Sequence, residues 1–170
     1  PKVAGEPDSD LIEMGTTTAG RVEMYMDKFS FNMALEEIWK FIRRTNKYID
    51  ETAPWTLAKS EETMPRLKTV IYNLLETIRI GNVMLQCLSP ATADKIFASI
   101  GTDIRDYESA LTFGALESGK TVGEATPLFQ RIDEAKFMEE IEAARKAAEE
   151  AAAQDDEEED EEEDEEDEED

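Results

Sequence analysis

The sequence contains no histidine and a single cysteine, Cys87, and both shortages exclude classes of chemistry. Without histidine there is no histidine-based acid–base catalysis, no histidine-ligated metal site and no Ser-His-Asp or Cys-His nucleophile. One cysteine cannot form an internal disulfide, which fits a reducing compartment, and we expect a cytoplasmic protein. No apolar run approaches the roughly 20 residues that a membrane-spanning helix needs, so we expect no membrane partner.

Basic residues are also scarce relative to acidic ones, but the excess of acid is concentrated at one end. Residues 155–170 are all Asp or Glu, and leaving out these sixteen charges changes the formal net charge from −24 to −8. Such a run repels itself and has nothing to bury, so we expect a disordered acidic tail. The chain begins at Pro1 rather than at a methionine, and we expect it to be a piece of a longer protein.

Helical periodicity dominates the rest of the chain, and the predicted class is all-α. Gly15, Gly20 and the threonines between them favour a bend or a break in the first helix. Ser30 and Ser89 are expected to cap two helices at their starts, and Gly101 to end the last. The predicted helices cover residues 9–28, 31–52, 60–88 and 90–100. The second is the clearest amphipathic helix, and its predicted buried face contains Phe31, Leu35, Ile38, Ile42 and Ile49.

The chain divides into segments of different composition. A linker over residues 1–8 precedes a helical bundle over residues 9–101. Residues 102–133 contain several glycines and no sustained period, so we predict an irregular arm that must lie against something to be ordered. Residues 134–154 are rich in Ala and Glu and predict an exposed helix that leads into the tail, residues 155–170.

A Pro-Trp pair, Pro54 and Trp55, interrupts the helical pattern. Because proline restricts Ala53, the second helix is predicted to stop there and a helix to re-form one turn later. Trp55 is either a core residue or an exposed aromatic face on which an unpaired base stacks, and the residues alone leave both open.

Basic residues recur at helical spacing before this pair, and one follows it. They form either a solvated helix face, balanced by Glu36 and Glu37, or a row of contacts to RNA phosphates. The pattern on its own favours the solvated face. The residues concerned are Lys40, Arg43, Arg44, Lys47 and Lys59, and the row of phosphate contacts would continue with Arg66 and Lys68.

Residues 114–121, Gly-Ala-Leu-Glu-Ser-Gly-Lys-Thr, match the nucleotide-binding P-loop pattern letter for letter. That loop works only between a buried strand and a helix N-terminus. The preceding residues are too polar for a buried strand, and Gly123 and Pro127 follow where a helix would begin. We therefore prefer coincidence, with a nucleotide hydrolase as the alternative. The many paired carboxylates fall on solvated faces or in the tail and predict neither a catalytic acid nor a defined metal site.

The stretch from Ala34 to Lys59, ALEEIWKFIRRTNKYIDETAPWTLAK, resembles the anticodon-binding helical domain of bacterial methionyl-tRNA synthetase. The Asn-Lys-Tyr and Pro-Trp elements, at their fixed separation, are its most specific part. The similarity covers about residues 11–133, and it continues through residues 71–80, 90–96, 113–114 and 127–133.

The resemblance implies a bundle that binds the CAU anticodon loop of methionine tRNA, with Trp55 stacking on an unpaired base. Asn46, Tyr48 and Pro54 would then be structural residues of the corner, and the basic residues above would contact the RNA backbone. The family also reads the loop with an Asn and an Arg from a preceding helix, which the resemblance places before Pro1. It also implies that the arm, residues 102–133, packs on a catalytic domain.

The resemblance implies that the parent protein is an enzyme, a methionine–tRNA ligase, although this chain has none of its catalytic residues. The His-Ile-Gly-His signature needs histidine, and the Lys-Met-Ser-Lys-Ser loop is absent. ATP and Mg²⁺ would be bound by the catalytic domain, and we expect no cofactor in this chain. The alternative function is that of a helical protein-interaction module whose acidic tail binds basic proteins.

Overall fold

The structure, a computed structural model, describes residues 6–123, 127–129, 131 and 133–148, and none of them lies in a strand. The prediction of an all-α fold is confirmed. The contacts divide the chain into two units between Leu128 and Phe129. In the first, the helices are α1 (Glu6–Asp27), α2 (Phe31–Thr52), α3 (Pro54–Leu57), α4 (Met64–Leu85) and α5 (Pro90–Ile100), with 3₁₀ turns at Glu61–Thr63 and Glu108–Leu111.

Helix α1 differs from its prediction in two respects. It begins at Glu6 rather than Ser9, so residues 6–8 are not linker, whereas residues 1–5 lie outside the described part. Pro7 is accommodated because the first turn of a helix does not use its missing N–H. The helix is also continuous through the two glycines, and the hydroxyls of the threonine run donate to carbonyls three or four residues earlier instead of competing for other backbone groups.

Helix α2 has the predicted bounds, but its buried face is rotated from the predicted one. Phe41, which lies beside the predicted face, is fully buried, whereas Phe31, a predicted member of it, is about half exposed. The buried positions Ala34, Ile38, Phe41 and Tyr48 keep the 3–4 spacing of a helix face. The sequence pattern identified the element correctly and placed the centre of its apolar face wrongly, because apolar residues extend around both sides of it.

The predicted caps at Ser30 and Ser89 are wrong in one detail, since neither side chain makes a capping hydrogen bond. The backbone carbonyl of each serine begins the hydrogen-bonding pattern of its helix, since the Ser30 carbonyl accepts from the Met33 and Ala34 N–H groups and the Ser89 carbonyl from the Ala93 N–H. The helix predicted from residue 60 starts as a 3₁₀ turn, in which the Ser60 hydroxyl accepts from the Glu62 N–H at 3.3 Å, and it ends at Leu85. Helix α5 has its predicted bounds, and Gly101 ends it with φ 68°.

The segment after α5 packs on the bundle through a buried ion pair in α4. Glu76 and Arg79 are both fully buried and are 2.8 Å apart. Arg79 donates to the hydroxyl and the carbonyl of Ser109, and the Glu76 carboxylate accepts from the N–H groups of Gly114, Ala115 and Leu116. Residues 102–116 are therefore part of the first unit. Packing of the arm on a catalytic domain stays a prediction.

The second unit contains a helix, α6, described over residues 134–148. The Asp133 carboxylate accepts from the Lys136 N–H at 3.3 Å, and the side chains of the helix are exposed, including Phe137, Met138 and Ile141. The exposed helix predicted from Glu134 is thus found. Its predicted end and the acidic tail, residues 155–170, lie outside the described part of the chain. No helix among the described residues is long and apolar enough to cross a membrane.

Candidate nucleic-acid interface

The Pro-Trp corner is tighter than the sequence predicts. Helix α2 ends when Ala53 adopts a left-handed conformation, with φ 43° and ψ 62°, and α3 begins at the next residue, Pro54. The expected gap of one turn is therefore wrong. Proline disfavours the right-handed helical conformation at Ala53, and this single left-handed residue joins the two helices without a loop.

Trp55 lies on the outer side of this corner with 57% of its surface exposed. The core position of the short helix is taken by Leu57, which packs against the main apolar cluster. The geometry therefore excludes the core interpretation of Trp55. An exposed indole face at a fixed turn is suited to stacking against a planar partner.

A buried polar network lies beneath the corner, and the sequence analysis did not find it. The Asp8 carboxylate is fully buried and accepts from the Tyr48 hydroxyl at 2.7 Å and from Arg66 at 2.6 and 2.8 Å. The Tyr48 oxygen also accepts from the Asn73 amide at 3.2 Å. Burial, reinforced by Asp8, raises the pKa of Tyr48 to about 12. Asp8 also raises the pKa of Arg66, chiefly through their hydrogen bonds.

The predicted basic strip does not form one row of free cations. Lys40 lies 2.8 Å from Glu37, a carboxylate that also accepts from Arg21 at 2.7 Å. These hydrogen bonds, the one from Lys40 first, lower the pKa of Glu37 despite its burial. Arg44 is largely buried, binds Glu51 at 3.0 Å and donates to the Pro7 carbonyl.

The remaining cations of the strip face solvent. Lys47 lies 3.6 Å from Glu51 with most of its side chain exposed. Within the described ranges, Arg43 and Lys59 make no ion pair and are exposed. Arg43 and Lys59 are thus available to a polyanion.

Of the three residues predicted to be structural, Tyr48 is fully buried and Pro54 is the first residue of α3. Asn46 is exposed and instead lines a groove of about 200 Å³ between α2 and α4, together with Ile42, Ile78, Leu85 and Ile96. No local signal predicts this groove, because its walls come from three helices.

The P-loop-like segment, residues 114–121, has none of the geometry of a nucleotide site. No strand precedes it and no helix follows it as far as Gly123, where continuous description ends. Three of its N–H groups donate to Glu76, and Lys120 lies 2.7 Å from Glu117. The described residues also contain no cluster of His, Cys, Asp or Glu that could hold a metal ion.

Comparison with known proteins identifies the domain. A family model for the anticodon binding domain of methionyl tRNA ligase matches residues 2–151. The chain belongs to this family. Methionine–tRNA ligase from Caldanaerobacter subterraneus subsp. tengcongensis is 44% identical over 144 residues, 84% of this chain and 22% of the relative. The ligase from Clostridium perfringens is 43% identical over 140 residues, 82% of this chain and 22% of the relative.

Solved structures agree with this assignment. Mycobacterium tuberculosis methionyl-tRNA synthetase in complex with methionyl-adenylate superposes with a TM-score of 0.71 at 29% identity, over 77% of this chain and 26% of that one. The apo form of the same synthetase gives a TM-score of 0.70 at 28% identity, over 78% of this chain and 27% of that one. The chain thus spans about a fifth of the length of the curated relatives it matches.

Proposed function

We propose that this domain binds the anticodon loop of methionine tRNA as part of a methionine–tRNA ligase. The observation that carries the proposal is the position of Trp55, exposed on a short helix between two well-packed ones. An unpaired CAU base stacking on the indole would bind without needing a preformed pocket. Arg43 and Lys59 are the cations that we expect to contact phosphates, because both are exposed and neither makes an ion pair among the described residues. Lys40, Arg44 and Lys47 contribute less because acidic partners already engage them.

Methionine activation belongs, in this proposal, to the catalytic domain of the full-length ligase, which would bind ATP and Mg²⁺. The domain described here supplies recognition and no reacting group. The rival hypothesis of an acidic-tailed interaction module rests on the charge of the tail alone.

The proposal is tested by filter binding of the chain to an RNA hairpin that carries a CAU loop, with quenching of tryptophan fluorescence as a second readout in the proteins that keep Trp55. Trp55→Ala should weaken binding by about 1–3 kcal/mol, roughly 5- to 150-fold, because one stacked base is lost. Trp39→Ala is the matched control, since Trp39 is a second tryptophan that is about half exposed on α2. Equal affinity of wild type and Trp55→Ala, or no preference for CAU over a scrambled loop, would contradict the proposal.

A further inference from the structure

Asp8 connects the two helices on either side of the Trp55 corner. Its carboxylate accepts from Tyr48, in the last turns of α2, and from Arg66, in the first turn of α4. Asp8 itself belongs to the first turn of α1, 40 residues from Tyr48 and 58 from Arg66 in sequence. One side chain therefore fixes the end of one helix relative to the start of another.

The short helix α3, which carries Trp55, connects the end of α2, where Tyr48 lies, to the segment before α4, where Arg66 lies. On one side, the Thr52 hydroxyl donates to the Tyr48 carbonyl at 2.7 Å, and the Ala53 N–H donates to the Ile49 carbonyl. On the other side, the Thr63 hydroxyl donates to the Leu57 carbonyl at 2.6 Å, one turn before Arg66. The C-terminal end of α3 is therefore tied by Thr63 to the segment that leads into α4, and its N-terminal end follows α2 directly through Ala53.

We propose that Asp8 is a positioning residue for Trp55, and that it sets the orientation in which the indole is presented to an RNA base. This inference rests on the proposed function. Asp8 has no exposed surface, so it cannot touch the RNA itself. Its contribution to binding is to raise the fraction of molecules in which Trp55 is held in the binding orientation.

The test uses Trp39→Phe as the parent, so that Trp55 is the sole tryptophan and its emission reports the corner directly. Asp8→Asn, which keeps the size of the side chain and removes its charge, should lower the anisotropy of Trp55 in the RNA-free protein. Affinity for the CAU hairpin should fall by about three- to tenfold, because only the correctly oriented fraction binds. Tyr48→Phe should have a smaller effect of the same kind, since it removes one of the links and keeps the ring.

Tyr107→Phe is the matched control. Its hydroxyl donates to the Ala19 carbonyl at 2.8 Å, so this variant also loses a tyrosine hydrogen bond to the bundle. Ala19 lies on α1 about 16 Å along the axis from Asp8. Tyr107→Phe should therefore lower stability without changing Trp55 anisotropy or RNA affinity. If Asp8→Asn does not fold by circular dichroism, Tyr48→Phe and Arg66→Gln decide the question in the same assay.

The outcomes separate this inference from the proposed function. If folded Asp8→Asn and Tyr48→Phe match the parent in anisotropy and affinity, Asp8 does not position Trp55, even where Trp55→Ala weakens binding. If Trp55→Ala leaves binding unchanged, the stacking role fails, and a loss of Trp55 anisotropy in Asp8→Asn would then show only that Asp8 orders the corner. Equal effects of Tyr107→Phe and Tyr48→Phe would overturn the inference by showing a general loss of packing.

Discussion

Two tyrosine hydroxyls, those of Tyr48 and Tyr107, face inward and make the stability of the bundle sensitive to alkaline pH. Burial is the main reason that the pKa of each is raised from 10.0 to about 12. A raised tyrosine pKa means that folding favours the neutral phenol. The contribution of the neutral phenol to the free energy of unfolding is fully present below pH 10, and it is lost as the pH rises towards 12.

We therefore expect the free energy of unfolding to fall between pH 10 and pH 12, with Tyr48 contributing up to about 1.4 kcal/mol per pH unit. Tyr48→Phe should be less stable than wild type at pH 8, and the difference should shrink as the pH rises. Urea unfolding followed by circular dichroism at a series of pH values measures this. If the free energies of unfolding of wild type and Tyr48→Phe differ by the same amount from pH 8 to pH 12, the raised pKa of Tyr48 is contradicted.

Residue-level roles were the least predictable feature of the sequence. The residues next to Trp55 in the sequence do not indicate whether its indole is buried or exposed. The packing of Leu57 against the apolar cluster shows which side of α3 faces the core. The role of Asp8 had no local signal at all, because its partners lie 40 and 58 residues away. Arg44 was expected to face RNA, but its acidic partner Glu51 and the Pro7 carbonyl draw it towards the protein.

At the scale of elements, Gly101 and Gly20 have opposite effects on the helices that contain or precede them. Gly101 ends α5 with φ 68°, and an added Cβ would lie 2.9 Å from the Thr121 carbonyl oxygen. Gly20 lies in the middle of α1, where an added Cβ would meet no atom within 4 Å. The first is required by the backbone, and the second weakens a helix.

Gly101→Ala should lower the free energy of unfolding by about 1–2 kcal/mol, because alanine is strained in the left-handed region and crowds Thr121. Gly20→Ala should raise it by about 0.5–1 kcal/mol, because alanine loses less backbone entropy in a helix. Thermal unfolding of both variants beside wild type checks the two signs together. A stabilised Gly101→Ala would mean that α5 can end without a left-handed residue.

The ends of a helix were predicted correctly wherever the residues at those ends indicate them. The bounds of α2 and α5 were predicted correctly, since serine, proline and glycine mark their ends and the apolar spacing fills their lengths. The start of α1 was missed because Pro7 and Asp8 are typical of a linker, and only the contacts with Tyr48 and Arg66, distant in sequence, account for the burial of Asp8. The residues after Gly101 were assigned to a separate arm, because nothing in their own composition indicates the hydrogen bonds to Glu76 and Arg79.

At the scale of the whole molecule, charge opposes the proposed function. The formal net charge is −24, and sixteen of the acidic residues lie in residues 155–170. The net negative charge repels a polyanion that approaches the corner, and most cations near the corner already have an acidic partner. We therefore expect the acidic residues 155–170 to weaken RNA binding electrostatically.

Replacing residues 155–170 by a neutral Gly/Ser segment of the same length should raise the affinity for the CAU hairpin by about two- to tenfold at low salt. The gain should disappear as added salt screens the charges. Filter binding across a salt series measures both effects, and the equal length of the replacement separates charge from chain length. A salt-independent gain, or none, would contradict the electrostatic explanation, and binding of basic proteins that is lost with the tail would favour the interaction-module hypothesis.

Glu76 has a consequence for how nucleotide-binding motifs are recognised. A carboxylate and a phosphate bind backbone N–H groups in the same way, so the three N–H groups that donate to Glu76 cannot also bind a phosphate. In this fold the anion comes from the protein itself, and it is neutralised in turn by Arg79. Motif searches score the letters of such a loop and ignore what faces its nitrogens. A false match to the P-loop pattern can be recognised when an acidic side chain of the same protein already accepts hydrogen bonds from the N–H groups of the loop.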